Sequence, residues 1–179
     1  VVVRTPTNPT WHAGNYLIFR RAPRSEDFDA WCSLFRKEIC PNHESEHRLF
    51  AWDTPQPELG EVERFLQDGF VREETLVLST AAVRPPPHPN HGIDIRPITS
   101  DGEWADCTAL QVQTRPDGYS LEHYTPYMNR KMQSYRTLVD AGRGSWFGAF
   151  DGDTLVGGLG LFHDDVVGRF QTVATHPDH

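Results

Sequence analysis

Histidine is the residue type in this sequence with the clearest chemical potential, because an imidazole can bind a metal ion or transfer a proton near neutral pH. Nine histidines occur among the 179 residues. Of these, His43 and His47 have the H-x₃-H spacing of a metal-binding pair, with Glu44 and Glu46 alongside. A third ligand at a suitable spacing is missing, so we expect a surface loop here and predict no metal site.

The composition predicts a packed, acidic protein. Hydrophobic residues make up 37% of the chain, which contains ten Phe and five Trp, enough apolar surface for a core. The formal net charge is −8, and Lys and Arg form no cluster. Phosphate binding needs concentrated positive charge, so we expect no nucleic-acid partner.

The cysteines and the hydropathy pattern bear on the cellular compartment. Cys32, Cys40 and Cys107 are odd in number and have no C-x-x-C spacing, which argues against a disulfide framework. No apolar stretch approaches the roughly 20 residues that a membrane span requires. We therefore expect a cytoplasmic protein without a membrane partner.

A proline-rich stretch divides the chain. Residues 84–92 contain four prolines within six positions, which excludes a helix and favours an extended connector. We predict a small α/β module over residues 1–84, a linker over 85–92, and a second domain over 93–179.

The first half is expected to alternate strands and helices. Ser25 resembles an N-cap and precedes apolar residues at helical spacing. Pro57 would occupy the first turn of a second helix, and Gly69 would end it in the left-handed conformation. Strands are predicted at 15–20, 48–52 and 74–79, so the order is β-α-β-α-β.

The second half is expected to have the order β-α-α-β-β-β. Residues 93–97 alternate as a strand does, and Ser100 with Glu103 forms the pattern of a capping box. Thr125 and Pro126 resemble the cap and first turn of a longer helix. Three further strands are predicted at 145–150, 154–162 and 167–175, the first two joined by an Asp-Gly turn. The fold class is therefore α+β with mixed sheets.

The second half resembles the first half of a GNAT N-acetyltransferase domain. The resemblance depends on Ile93-Asp-Ile-Arg-Pro-Ile98, two helices, and Trp146 through Gly160. Thr175-His-Pro-Asp-His179 then resembles the opening of the family's V-x-P-x-x-R-G-x-G signature, with Thr175 in place of the usual Val. The first half resembles the family less directly, through Gln67-Asp-Gly-Phe70, and is interpreted as a degenerate GNAT-like half or an unrelated module.

This resemblance implies acetyl-CoA as co-substrate and an enzyme that transfers acetyl to an amine. In the family the pantetheine arm lies along the central strand, so the resemblance assigns Val173, Ala174 and Thr175 to cofactor contact. The pyrophosphate would lie on the following Arg/Gly-rich turn and helix, which we expect to come after His179. The acceptor would be a small-molecule or peptide amine, and a homodimer is among the assemblies that the sequence allows.

The resemblance leaves the catalytic residues open. Many family members have a Glu base on the central strand, but residues 166–177 contain no Glu. Ionisable side chains near that strand are His163, Asp164, Asp165 and His176, none of which we assign as catalytic. The alternative function is a non-catalytic GNAT-like binding or scaffold module.

Overall fold

The computed structural model describes residues 1–40, 47–54 and 58–179. The predictions for His43 and for Pro57 lie outside these residues. The chain divides into two compact units, Val1–Val83 (unit 1) and Arg84–His179 (unit 2), which are described separately. Their described residues contain two sheets and four α-helices, a mixed α+β architecture.

Unit 1 is built on a three-stranded sheet of order β1-β2-β3. Strand β2 pairs antiparallel with β1 and parallel with β3, since the crossover through α1 brings the chain back in the same direction. The elements are β1 (Val2–Val3), β2 (Tyr16–Phe19), α1 (Asp27–Glu38), β3 (Phe50–Trp52) and α2 (Glu63–Gln67).

The start of α1 differs from the prediction. The helix begins at Asp27, and its N-cap position is Glu26 rather than Ser25. The Ser25 amide instead donates to the Glu61 carboxylate at 2.9 Å, and the Asp27 carboxylate accepts from the Arg24 amide at 2.7 Å. Neither carboxylate accepts from an amide of α1 itself, and the helix begins without a side-chain cap. At the other end of the unit, Gly69 has φ +87° after α2, as predicted.

The predicted strand at 74–79 is wrong. These residues form no strand, and Leu76, Val77 and Leu78 are 79–85% exposed. The segment has the β-branched and apolar composition of a strand, but a strand needs backbone partners on a neighbouring chain segment. Within the described residues no such partner lies beside it.

Unit 2 contains the four-stranded sheet β4-β5-β6-β7, in which every neighbouring pair is antiparallel. Its elements follow in the predicted order β-α-α-β-β-β. They are β4 (Asp94–Pro97), α3 (Asp101–Gln113), α4 (Leu121–Asp140), β5 (Gly144–Asp151), β6 (Thr154–His163) and β7 (Gly168–Thr175).

The two helices of unit 2 begin differently from one another. The predicted capping box of α3 is present, since the Ser100 hydroxyl accepts from the Glu103 amide while the Glu103 carboxylate accepts from the Ser100 amide. Helix α4 begins earlier than predicted, at Leu121, with Ser120 as its cap and Pro126 inside the helix. The Ser120 hydroxyl accepts from the His123 amide at 3.4 Å, so the helix begins with this cap ahead of the proline.

Helix α4 is the longest described helix, with 20 residues, but its surface carries several charged side chains. None of the helices in the described part of the chain is both long and apolar enough to cross a membrane.

The core of unit 2 lies between the two helices and one face of the sheet. Trp146 of β5 is 1% exposed and lies against Trp104 of α3 and Tyr135 of α4. Gly158 and Gly160 of β6 leave room for its indole, since a Cβ at either position would come within 3.3 Å of it. The remaining buried members are Ile98, Cys107, Met128, Met132 and Phe150.

Candidate functional site

Strand β7 lies at the edge of its sheet. It pairs with β6 on one side, and among the described residues no strand pairs with its other side. A strand edge of this kind presents unpaired backbone N–H and C=O groups that can bind an extended ligand. This edge carries the three residues that the family resemblance assigns to cofactor contact.

The backbone amides at the end of β7 point alternately towards β6 and towards the open edge. The His176 amide donates to the Val156 carbonyl of β6 at 2.7 Å, so the amides of His176 and Ala174 point towards β6. The same alternation directs the Thr175 amide towards the open edge. The alternation is interrupted at Val173, which belongs to the irregular part of the pairing between Gly158 and Gly160. Ala174 is 9% exposed and Val173 is 66% exposed. Thr175 thus presents a backbone donor, whereas Ala174 belongs to the sheet and the core. The assignment of all three to cofactor contact stays a prediction.

A β-bulge interrupts the strand immediately before these residues. Gly158 is opposite Ala174 and Gly160 is opposite Gln171, so Thr172 and Val173 together face the single residue Leu159. Thr172 has φ +49°, in the left-handed region that β-branched residues rarely adopt. Bulges bend a strand and redirect its backbone groups, and they occur frequently beside active sites.

Side chains from both helices of unit 2 hold the bulge. The Gln111 amide of α3 donates to the Thr172 carbonyl at 2.7 Å. The Thr172 hydroxyl donates to the Tyr135 phenol oxygen of α4 at 3.3 Å, and that phenol donates to the Gln171 side-chain oxygen at 3.3 Å. Gln111 and Tyr135 are 5% and 7% exposed, so the helix side chains that make these hydrogen bonds are buried.

Burial shifts the pKa values of two titratable groups beside the bulge. Burial raises the pKa of the Tyr135 phenol and lowers the pKa of the Lys131 ammonium one turn earlier in α4. The Lys131 Nζ donates to the Tyr127 phenol at 3.1 Å and lies 5.9 Å from the centre of the Tyr135 ring. Tyr135 is therefore neutral at physiological pH and acts at the bulge as a hydrogen-bond donor and acceptor.

The four ionisable residues that the sequence places near this strand lie at its two ends. His163 is paired with Gly168, where β7 begins. Next to it, the Asp164 carboxylate accepts from the amides of Val166 and Val167, both at 2.8 Å, and these bonds lower the pKa of Asp164. Asp165 is exposed in the same turn. These three residues stabilise or border the turn rather than the bulge.

His176 lies at the other end of β7 and is engaged through both ring nitrogens. Its Nε2 is 2.9 Å from the Gln113 amide nitrogen, and its Nδ1 is 3.3 Å from the Asp178 backbone nitrogen. The ring also contacts His179 edge-on at 5.7 Å. His176 therefore orders the turn that ends the strand.

Of the two histidines paired in the first half, only His47 lies among the described residues. Its Nε2 lies 2.8 Å from the Asn15 carbonyl oxygen, and its ring stacks on His12 at 4.2 Å. Within residues 1–40, 47–54 and 58–179, no three His, Cys, Asp or Glu side chains are grouped as a metal site would require.

Sequence reasoning assigned no site role to Gln111, Tyr135 or Thr172. One signal was present. Gln111 follows Trp104 and Cys107 at helical spacing on the buried face of α3, where an amide is unusual. Nothing local marks the bulge, because Thr172 is a good strand residue.

The fold and the edge strand define an α+β protein with a bulged, one-sided strand at the border of an antiparallel sheet. No family model matches the sequence, and the search of curated proteins finds no match. Among solved structures, a functionally unknown conserved protein from Staphylococcus epidermidis aligns with a TM-score of 0.68 and 14% identity. That alignment covers 99% of this chain and 68% of the other. The two proteins therefore share a fold.

Two N-acetyltransferases also align, with about half of the chain. A GCN5-related N-acetyltransferase from Ralstonia eutropha has a TM-score of 0.39 and 17% identity, over 49% of this chain and 65% of its own. A spermidine N-acetyltransferase from Vibrio cholerae, in complex with CoA and spermine, has a TM-score of 0.36 and 16% identity, over 50% and 54%. Likeness at these TM-scores does not establish a shared fold.

Proposed function

We propose that this protein is an acyl-CoA-dependent N-acyltransferase of the GNAT type, which transfers acetyl from acetyl-CoA to an amine. The observation that carries the proposal is the bulged open edge of β7, at the residues where the sequence resembles the family's cofactor strand. An edge that presents the Thr175 amide beside the bulge fits the pantetheine arm, whose own amide groups can pair with a strand.

The second support is the order of elements before that edge. Unit 2 has one strand, two helices and three antiparallel strands, which is the order that the resemblance implies for the first half of a GNAT domain. In such a reaction the amine nitrogen bonds to the acetyl carbon, the carbon–sulfur bond breaks, and the CoA thiolate leaves. An outward amide on the open edge would donate to the carbonyl oxygen as negative charge develops there.

The amine must lose a proton, because an ammonium with a pKa of about 10.4 has no free electron pair for attack. The groups bonded together at the bulge are two amides, a phenol and a threonine hydroxyl. None of these is a base at neutral pH, so we assign no catalytic residue. The same observation favours the alternative, a module that binds acyl-CoA or a related ligand without catalysis.

Calorimetric titration with acetyl-CoA tests binding, and Thr175 offers a matched pair of variants. Thr175→Pro removes the amide directed to the open edge, a position where proline keeps the sheet ladder intact. Thr175→Val keeps that amide and changes the side chain alone. We expect wild type and Thr175→Val to bind alike and Thr175→Pro to bind about three- to tenfold more weakly, as the loss of one hydrogen bond between uncharged groups would cause.

Absence of binding by wild-type protein at millimolar acetyl-CoA would overturn the proposal. If Thr175→Pro binds acetyl-CoA as tightly as wild type does, the ligand binds on another surface. To separate an enzyme from a binding module, release of free CoA thiol is followed while a panel of amines is added. Binding without any amine-dependent thiol release would favour the non-catalytic alternative.

A further inference from the structure

The backbone at Thr172 is the most unusual feature of unit 2. Within the described residues, Thr172 alone combines a side chain with a positive φ, whereas the other positive φ values belong to glycines. Threonine branches at Cβ and meets its own backbone in this region, so the conformation is unfavourable unless the surroundings enforce it. A glycine here would form the bulge without support.

The support comes from outside the strand. Gln111 holds the Thr172 carbonyl from α3, and Tyr135 accepts from the Thr172 hydroxyl while donating to the Gln171 side chain from α4. Each of the two helices thus contributes one buried polar side chain to the same two residues of β7. Both side chains satisfy their hydrogen bonds there, in an interior where an unpaired polar group would be costly.

We infer that Gln111 and Tyr135 are positioning residues that hold the bulge ready before any ligand binds. The hydrogen bonds from Gln111 and Tyr135 fix the left-handed turn at Thr172, and that turn sets the direction in which β7 continues to the Thr175 amide on the open edge. The bulge is therefore built by the helices and not induced by a ligand on the strand. The purpose of this arrangement rests on the proposed function, whereas the arrangement itself is testable without it.

Hydrogen exchange of the ligand-free protein gives the first test. Gln111→Leu removes the donor to the Thr172 carbonyl, and Tyr135→Phe removes the hydroxyl group while keeping the aromatic ring. We expect the Ala174 amide, next to the bulge, to exchange at least tenfold faster in Gln111→Leu and severalfold faster in Tyr135→Phe. Amides of β4 and β5, remote from the bulge in the sheet, should keep their wild-type rates.

Two variants serve as matched controls. Gln133→Leu changes an exposed glutamine on α4, and Tyr124→Phe removes a phenol that makes no hydrogen bond among the described residues. Both should leave exchange at Ala174 unchanged. Faster exchange throughout unit 2 in Gln111→Leu and Tyr135→Phe would show a general structural role and overturn the inference.

A glycine at position 172 gives the second test, because it relieves the backbone that the helices are inferred to hold. In the double variant Gln111→Leu with Thr172→Gly, exchange at Ala174 should return to within about twofold of wild type. A purely structural role for Gln111 would not respond to glycine at position 172. Failure of the rescue would therefore count against positioning even if Gln111→Leu alone accelerates exchange.

Titration with acetyl-CoA separates this inference from the proposed function. If both hold, Gln111→Leu weakens acetyl-CoA binding about tenfold and the glycine variant restores it. If wild-type protein does not bind acetyl-CoA but exchange changes as expected, the positioning inference stands and the proposed function fails. If wild type binds and Gln111→Leu alters neither exchange nor binding, the positioning inference fails and the proposed function stands.

Discussion

The two compact units bury their aromatic rings in different ways. In unit 1, Phe50 of β3 contacts five other aromatic rings. They belong to one residue of β2, two of α1, one of α2, and Phe70, which follows α2. The strands around this cluster have two, four and three residues. In unit 2 the rings lie between two long helices and a sheet whose last three strands have eight, ten and eight residues.

This difference in packing indicates which unit can present a long strand edge to a ligand. Ring-on-ring packing makes unit 1 compact with little regular backbone, so unit 1 offers short edges for backbone recognition. The layered packing of unit 2 supports a long edge strand, and the helices that cover it also supply the side chains that shape its bulge. Unit 2 is therefore where we place the binding site.

The largest expected effect is at Trp146, the most buried large side chain of unit 2. Trp146→Ala would leave a cavity between Trp104, Tyr135 and the two glycines of β6 that accommodate the indole. We expect the free energy of unfolding to fall by about 3–5 kcal/mol, measured by denaturant unfolding. Trp146→Phe, which keeps an aromatic ring, should lose clearly less. Equal losses would mean that the indole is not the centre of this core.

Phe50 is the corresponding residue of unit 1, although it is half-buried. Phe50→Ala should lower the free energy of unfolding by about 2 kcal/mol, below the range for fully buried phenylalanines because part of the ring already meets water. Phe50→Leu is the control, since it keeps apolar volume while losing the edge-to-face contacts. A loss as large as that of Trp146→Ala would contradict the contrast between the units.

An acid-dependent effect is expected at the capping box of α3. Hydrogen bonds from the amides of Ser100 and Thr99, together with Arg96, hold the pKa of Glu103 at about 2 instead of its usual 4.5. A lowered pKa means that the contribution of Glu103 is present above about pH 4.5 and is lost as the pH falls towards 2. Unfolding curves measured across this window should show wild type losing stability faster than Glu103→Gln.

Glu122→Gln is the control for that titration, because Glu122 also lies in the first turn of a helix, α4. The cap of α4 is formed by Ser120 and does not use Glu122. Its variant should follow the wild-type curve. If Glu103→Gln also follows that curve, the capping carboxylate does not contribute to stability.

The smallest effect is expected in the segment 74–79. Val77 is 85% exposed, so Val77→Lys should change the free energy of unfolding by less than about 0.5 kcal/mol. Val156 of β6 is 4% exposed, and Val156→Lys, its matched partner, should be strongly destabilising because it buries a charge. A large loss in Val77→Lys would show that this segment pairs as a strand in solution, as its composition predicts.

Much of unit 2 could be predicted from the sequence because its determinants are local. The Ser100 and Glu103 box, the Asp-Gly turn with Gly152 at φ +58°, and the alternation of β5 and β6 all act between near neighbours. Prediction failed where the deciding partner is distant or is a different side chain. Residues 74–79 have strand composition without a paired neighbour, and α1 begins at Asp27 without a Ser25 cap, while the Ser25 amide bonds to the distant Glu61 carboxylate.

Periodicity, caps and turns are enough to predict the element types of unit 2, their order, and the strand that carries the proposed site. The bulge at Thr172 and the residues that hold it depend on packing between distant parts of the chain. Gln111 and Tyr135 lie 61 and 37 positions from Thr172 in the chain. The unfavourable φ of this β-branched residue persists because the packed helices place two hydrogen-bonding side chains beside it. No local sequence pattern predicts that contact.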